Sequence, residues 1–147
     1  MPTPESAAWP LLLDTHIWIW LVDGAVSQFS TSCLRALGKA TREGRALVSV
    51  ISVWEVATLE AKQRITLSTE CRDWIETALA APGIRLAEMT PSIAIDSTRL
   101  PGTFHGDPAD RILVATARAL HAMLVTRDEA IVAYGRQGYV RVLDAGR

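Results

Sequence analysis

Short apolar runs alternate along this chain with longer segments whose apolar residues recur at helical spacing. The short runs predict five β-strands, over Leu11–Asp14, Ala46–Ile51, Ile84–Met89, Ala122–Thr126 and Val140–Leu143. Between them, segments such as residues 30–44, with Cys33, Leu37 and Ala40 on one side, predict amphipathic helices. Strands that alternate with helices in this way predict an α/β domain with a mostly parallel five-stranded sheet.

The composition narrows the class of protein. The chain has 147 residues, of which 49% are hydrophobic and 21% charged, and this favours a single folded domain. We expect residues 1–9 to form a flexible tail before it. The formal net charge of -1 gives no overall attraction to nucleic acid or membrane, so any contact with nucleic acid needs a local patch or a bound metal. No apolar run is long enough to span a membrane, and the two cysteines lack metal-ligand spacing, so a cytoplasmic location is expected.

Three carboxylates follow predicted strands, and a fourth lies at the start of a predicted helix. Asp14 ends the first strand, Glu55 lies one turn into the helix after the second, and Asp128 follows the fourth. Asp110 lies in the first turn of the helix that precedes the fourth strand. Because sites in open parallel sheets form at the carboxyl ends of the strands, we expect these acids to converge there.

Most of these acids also have a purely structural interpretation. Ser52 and Glu55 match a capping box, and Asp107-Pro108 matches a helix N-cap followed by proline. Asp110 would complement a helix dipole, and Asp128 could cap the last helix. Asp14 is different, because it interrupts an apolar run and a cap alone explains it poorly.

Taken together, the acids predict a metal site. Several carboxylates at one edge repel each other unless a cation or a proton lies between them. An all-oxygen set of ligands without His or Cys suits Mg²⁺ or Mn²⁺ better than zinc. Such a site could activate water against a phosphodiester.

Four segments also resemble one known family. In order, they are LLLDTHIWIW, SVISVWEVATLEAK, GDPADRILVATARAL and MLVTRDEAI. Together they resemble the PIN-domain endoribonucleases, specifically the VapC-like toxins of toxin–antitoxin pairs, from about Leu11 to Leu143. The resemblance implies a three-layer α/β/α fold with strand order 3-2-1-4-5 and Mg²⁺- or Mn²⁺-dependent cleavage of RNA.

The resemblance also assigns roles to residues. Asp14, Glu55 and Asp110 match the three acidic metal ligands of the family, and Asp128 matches a fourth acidic position whose role varies. Thr15 and Ser52 match small hydroxyl residues that hold the acids or waters.

Two further positions flank the third acid. Asp107 is either part of the site or only a cap, and Arg111 either meets phosphate or pairs with an acid. Of the tryptophans, we expect one of Trp18 and Trp20 to be core and the other to join a partner groove. Trp54 is expected to be a packing residue, the alternative being a platform on which a base stacks.

The expected partners are an RNA substrate and a cognate antitoxin, with the toxin forming a homodimer or a toxin–antitoxin hetero-oligomer and no contact with membrane. One alternative is a non-catalytic RNA- or protein-binding module of the same fold. Another is a haloacid-dehalogenase-like phosphatase, which would require a second aspartate where this chain has His16.

Overall fold

A computed structural model describes residues 9–146 of the chain. The predicted N-terminal tail, apart from Trp9, lies outside the described residues. The strands are β1 (Leu11–Leu13), β2 (Ala46–Ser49), β3 (Ile84–Ala87), β4 (Met123–Thr126) and β5 (Arg141–Asp144). The α-helices are α1 (Thr15–Val22), α2 (Thr31–Arg42), α3 (Val50–Ala61), α4 (Cys71–Leu79), α5 (Pro91–Ser97), α6 (Pro108–Leu120) and α7 (Glu129–Arg136). A 3₁₀ turn, Val26–Gln28, follows α1.

The five strands form one parallel sheet in the order β3-β2-β1-β4-β5, which confirms the predicted topology. β1 lies at the centre and pairs with both β2 and β4. The carboxyl ends of these three strands are therefore neighbours, and the residues that follow them meet at one edge of the sheet.

Two apolar clusters cover the two faces of the sheet and give the three layers. Leu11 and Leu13 belong to one cluster and Leu12 to the other, because successive strand residues point to opposite faces. The first cluster holds buried residues of α1, α2 and α4, and the second those of α6 and α7. None of the helices within residues 9–146 is long and apolar enough to cross a membrane.

The predicted second strand was too long, because its end is set by a cap. The chain leaves β2 at Ser49, whose Oγ accepts a hydrogen bond of 3.1 Å from the Ile51 N–H. A serine in this position satisfies one of the free N–H groups at a helix start, so α3 begins at Val50. The predicted strand residues Val50 and Ile51 are therefore helical.

The tryptophans of α1 separate as expected, and Trp54 does not. Trp18 is fully buried and packs edge-to-face on Trp74, with ring centroids 5.2 Å apart. Trp20 is half-buried and lies on the side of α1 that faces the carboxyl edge of the sheet. The prediction for Trp54 was wrong: its side chain is 59% exposed, because the inward side of α3 is occupied by residues such as Val56.

Candidate active site

The carboxyl edge of the sheet carries a cleft of about 390 Å³ that we call the acid cleft. Five carboxylates line it, together with four other side chains: Asp14, Glu55, Asp107, Asp110, Asp128, His16, Ile17, Trp20 and Arg127. The four acids singled out in the sequence are thus brought together, and Asp107 joins them. The parallel topology explains this arrangement, because β1, β2 and β4 end side by side.

Asp14 stands at the end of β1, where two donors hold its carboxylate. Its Oδ1 accepts a hydrogen bond of 2.7 Å from the Thr15 N–H, and its Oδ2 accepts one of 2.6 Å from the Thr126 hydroxyl. Burial nevertheless raises the pKa of Asp14, and the nearby charge of Asp128 adds to the effect, while the two hydrogen bonds oppose it. Asp14 is therefore a fixed carboxylate that gains from a nearby cation.

Glu55 is held by a pair of hydroxyl groups, in a different way from the capping box considered above. Its Oε1 accepts a hydrogen bond of 2.5 Å from the Thr15 hydroxyl, whose oxygen lies 2.8 Å from Ser52 Oγ. Because the Thr15 hydroxyl has one hydrogen and gives it to Glu55, Ser52 is the donor in the second contact. The capping-box interpretation was wrong, since the cap of α3 is Ser49. Burial is the main cause that raises the pKa of Glu55, with the charges of Asp14 and Asp107 adding to it.

The start of α6 supplies two more carboxylates. Asp107 caps the helix, because its Oδ1 accepts a hydrogen bond of 2.8 Å from the Asp110 N–H, and Pro108 follows at the first helical position as expected. Asp107 also lines the acid cleft, so its capping role and its place in the cleft coexist. Burial, followed by the charges of the four neighbouring acids, raises the pKa of Asp110 to about 7.

Thr126 is a residue of this site that the sequence did not single out. Its buried hydroxyl donates to Asp14 Oδ2 and accepts a hydrogen bond of 2.9 Å from the Asp128 N–H. Asp128 in turn caps α7, since its Oδ1 accepts from the Ile131 N–H at 3.0 Å. One hydroxyl thus fixes two of the acids. The sequence feature that could have identified Thr126 is its position at the end of an apolar strand, two residues before Asp128.

Arg111 forms no ion pair with an acid within residues 9–146, and its expected contact with phosphate stays a prediction. Its Nε donates to the Ser97 carbonyl at 2.8 Å and its Nη1 to the Phe104 carbonyl at 2.6 Å. Arg111 therefore ties down the loop that leads to α6, where irregular backbone leaves carbonyl groups that require donors. Through these contacts it supports the backbone before Asp107.

The chemistry of the acid cleft fits a hard divalent cation, because every charged acceptor in it is a carboxylate oxygen. No three Asp, Glu, His or Cys side chains within residues 9–146 already stand together as a group of metal ligands. Asp14 and Glu55 are held by hydroxyl groups instead. Binding a cation between the acids therefore requires their carboxylates to turn toward it.

The comparison with protein families decides the class of this fold. The profile described as the PIN domain matches residues 11–137, which include all five acids of the cleft. The chain belongs to the PIN-domain family. A curated protein, Ribonuclease VapC22 of Mycobacterium tuberculosis, is 33% identical over 121 residues, which are 82% of this chain and 88% of that protein.

Solved structures share the PIN fold at low sequence identity. VapBC2 from Rickettsia felis, bound to a DNA fragment from its promoter, matches with a TM-score of 0.65 and 14% identity, over 91% of this chain and 97% of that chain. DNA-bound VapBC from Salmonella typhimurium matches with a TM-score of 0.63 and 16% identity, over 92% and 98%. At this level of identity the likeness concerns the fold alone.

Proposed function

We propose that this PIN-domain protein is a divalent-metal-dependent endoribonuclease and the toxin of a toxin–antitoxin pair. The observation that carries the proposal is the acid cleft, in which five carboxylates meet at the carboxyl edge of the sheet. The similarity of the chain to a protein named Ribonuclease VapC22 supports RNA as the substrate. The structural likeness of the chain to VapBC assemblies supports a role beside an antitoxin.

In this proposal Asp14, Glu55 and Asp110 hold Mg²⁺ or Mn²⁺, with Asp128 assisting. When bound, the cation lowers the pKa of a water molecule and offsets charge on the phosphodiester that is cut. No side chain of the chain acts as the nucleophile.

Hydrogen bonds from the surrounding residues position the acids that would bind the metal. Thr126 and the Thr15 N–H fix the two oxygens of Asp14, and the Thr15 hydroxyl fixes Glu55. The Ser52 hydroxyl donates a hydrogen bond to the Thr15 hydroxyl, and Asp107 Oδ1 accepts one from the Asp110 backbone N–H. These contacts keep the carboxylates of Asp14 and Glu55 in the acid cleft, where each can turn toward a common ion.

The raised pKa of Asp110 adds a pH dependence. With a pKa of about 7, its carboxyl group retains a proton through much of the mildly acidic range, and this lowers its value as a ligand. Cleavage should therefore rise with pH from 5.5 to 8. A cation at the site would favour the ionised form and shift this rise toward lower pH.

The proposal is tested with the purified chain, free of any partner, on total bacterial RNA with Mg²⁺, Mn²⁺ or EDTA. We expect cleavage with either metal and none with EDTA. Asp14→Asn and Glu55→Gln should each lower the rate by more than about 100-fold, since loss of even a residue that only orients a ligand costs about 10- to 100-fold. If wild type and Asp14→Asn act alike on every RNA, the nuclease proposal is refuted.

The toxin role has its own test, carried out in the cytoplasm, where we propose the protein acts. Expression of the wild-type chain should arrest bacterial growth, expression of Asp14→Asn should not, and co-expression of the cognate antitoxin should restore growth. Size-exclusion chromatography of the purified toxin and of the co-expressed pair would reveal the proposed homodimer and hetero-oligomer. Growth that is unaffected by the active nuclease would contradict the toxin role.

A further inference from the structure

A phosphodiester that enters the acid cleft approaches a strongly negative surface. Five carboxylates line this cleft, and its basic side chains among the described residues are His16 and Arg127. Like charges focused in one cleft oppose the approach of an anion. A bound divalent cation offsets part of this charge at the cut phosphate, but the neighbouring phosphates of an RNA strand need a partner of their own.

Arg127 is held at the rim of the acid cleft by two contacts. Its Nη1 donates to the Gln28 side-chain oxygen at 2.8 Å and to the Gln28 carbonyl at 3.3 Å. Its guanidinium carbon lies 5.8 Å from the centroid of the Trp20 ring, within the range of a cation–π contact. The position of the guanidinium group is therefore set before any ligand arrives.

Several N–H donors of this guanidinium group have no hydrogen-bond partner within residues 9–146. Its Nε and Nη2 donate no hydrogen bond to a residue within 9–146, and the side chain is exposed. In the same part of the chain it forms no ion pair, since the ion pair found there joins Arg45 to Glu43. A planar guanidinium with spare donors matches the oxygens of a phosphate group.

A second cleft, of about 490 Å³, shares Arg127 with the acid cleft, and its described lining includes none of the five carboxylates of the acid cleft. Within residues 9–146 its charged lining residues are Arg127, Arg136, Glu129 and Asp144, so two cations face two carboxylates there. In the acid cleft a single arginine faces five carboxylates. A negatively charged strand therefore meets less repulsion along this second cleft, which we call the arginine cleft.

We propose that the arginine cleft is a phosphate-binding subsite, in which Arg127 and Arg136 hold the RNA backbone next to the phosphodiester that is cut. This inference rests on the proposed nuclease function. Arginine contacts to phosphate position a strand without reading its bases, so the subsite contributes affinity and register but no sequence preference. Trp20 and Gln28 serve as positioning residues that fix Arg127.

The first test measures binding without cleavage. Fluorescence anisotropy with a labelled random-sequence 15-nucleotide RNA in EDTA gives Kd over a series of KCl concentrations. We expect Arg127→Gln and Arg136→Gln each to weaken binding by about fivefold, and the slope of log K against log salt to fall by about 0.7 for each phosphate of the single strand that the variant no longer neutralises. The matched control is Arg64→Gln, which removes an exposed arginine beyond the far end of α3.

Two further variants separate a phosphate contact from a structural one. Arg127→Lys keeps the positive charge and removes the Nη1 group that donates to Gln28. It should therefore retain most of the salt slope. If Arg127 only connects the 3₁₀ turn to the segment after β4, the lysine and glutamine variants should have the same Kd and the same salt slope. Arg136, which lacks the Gln28 contact, tests the subsite independently should either Arg127 variant unfold.

The second test measures cleavage with Mg²⁺. We expect KM to rise about fivefold in Arg127→Gln with little change in kcat, because uniform binding is weakened and the reacting groups are intact. If Arg127→Gln and Arg136→Gln match Arg64→Gln in Kd, salt slope and KM, the subsite is refuted. The same holds if only antitoxin binding is impaired, since the arginines would then serve a protein partner. Wild-type protein that cleaves no RNA would instead refute the proposed function.

Discussion

Replacing Asp110 with asparagine should stabilise the metal-free protein while it abolishes cleavage. Asp110 is partly buried among four other carboxylates, and its pKa rises from 3.8 to about 7 for that reason. A raised carboxyl pKa means that the folded state binds a proton that the unfolded state has released. Stability from this group is therefore full below about pH 4 and is lost as the pH rises toward 7.

The size of the effect follows from the same values. A rise from 3.8 to about 7 corresponds to about 4 kcal/mol. Because Asp110 is only partly buried, solvent screening reduces this to about 1–2 kcal/mol. Asparagine has nearly the same shape and no charge, and the Asp110 N–H that bonds to Asp107 is unchanged by the substitution.

The assay is urea unfolding in EDTA between pH 4 and pH 8.5. The stability of Asp110→Asn relative to wild type should be near zero at pH 4, grow to about 1–2 kcal/mol by pH 7.5 and level off above pH 8. The matched control is Asp73→Asn, since Asp73 occupies the same position in the first turn of α4, with its N–H bonded to the cap Glu70, but is exposed. That variant should change stability by no more than about 0.5 kcal/mol, through the helix dipole.

Two results would contradict charge repulsion at Asp110. A variant less stable than wild type at pH 7.5 would show that Asp110 is not under charge repulsion. A gain of equal size at pH 4 and pH 7.5 would show that the cause is not ionisation. Cleavage is measured on the same preparations, and we expect a loss of more than about 100-fold.

Three further predictions concern the metal, a buried hydroxyl and a close backbone contact. Mg²⁺ at 100 times its Kd at pH 7.5 should stabilise wild type by about 2.7 kcal/mol at that pH. The same Mg²⁺ concentration should stabilise it less at pH 5.5, and equal thermal shifts at both pH values would contradict this. Thr126→Val should cost about 1–3 kcal/mol in urea unfolding, because Asp14 Oδ2 loses its donor and the Asp128 N–H loses its acceptor. Cleavage should fall about 10- to 100-fold, and unchanged values would exclude the bridging role. Gly83→Ala should destabilise the protein by well over about 1 kcal/mol, because an added Cβ would lie 1.8 Å from the Thr41 carbonyl oxygen. Gly24→Ala, with a similar positive φ and open space, is its control, and equal losses in thermal unfolding would argue against the clash.

Much of the fold was predictable because its signals are local. The alternation of short apolar runs with helical segments identified all five strands, and the resemblance supplied their order. Local capping rules placed Asp107 and Asp128 correctly at helix starts. The same kind of rule failed at Ser52, because Ser49 competes for the same helix and lies closer to the strand end.

Neighbours along the chain were enough to predict that Asp14, Glu55 and Asp128 come after strand ends, because strand length and cap chemistry are local properties. The side-chain contacts that hold Asp14 and Glu55 could not be predicted in this way, because they join residues that are distant along the chain. The Thr126 hydroxyl reaches Asp14 across 112 positions, and Thr15 reaches Glu55 across 40, so neither contact has a local signature. Likewise, the guanidinium group of Arg111 donates to backbone carbonyls because the loop before α6 lies beside it. Hydrogen-bond partners depend on which surfaces the packed sheet brings within about 3 Å, and that proximity exists only in the folded chain.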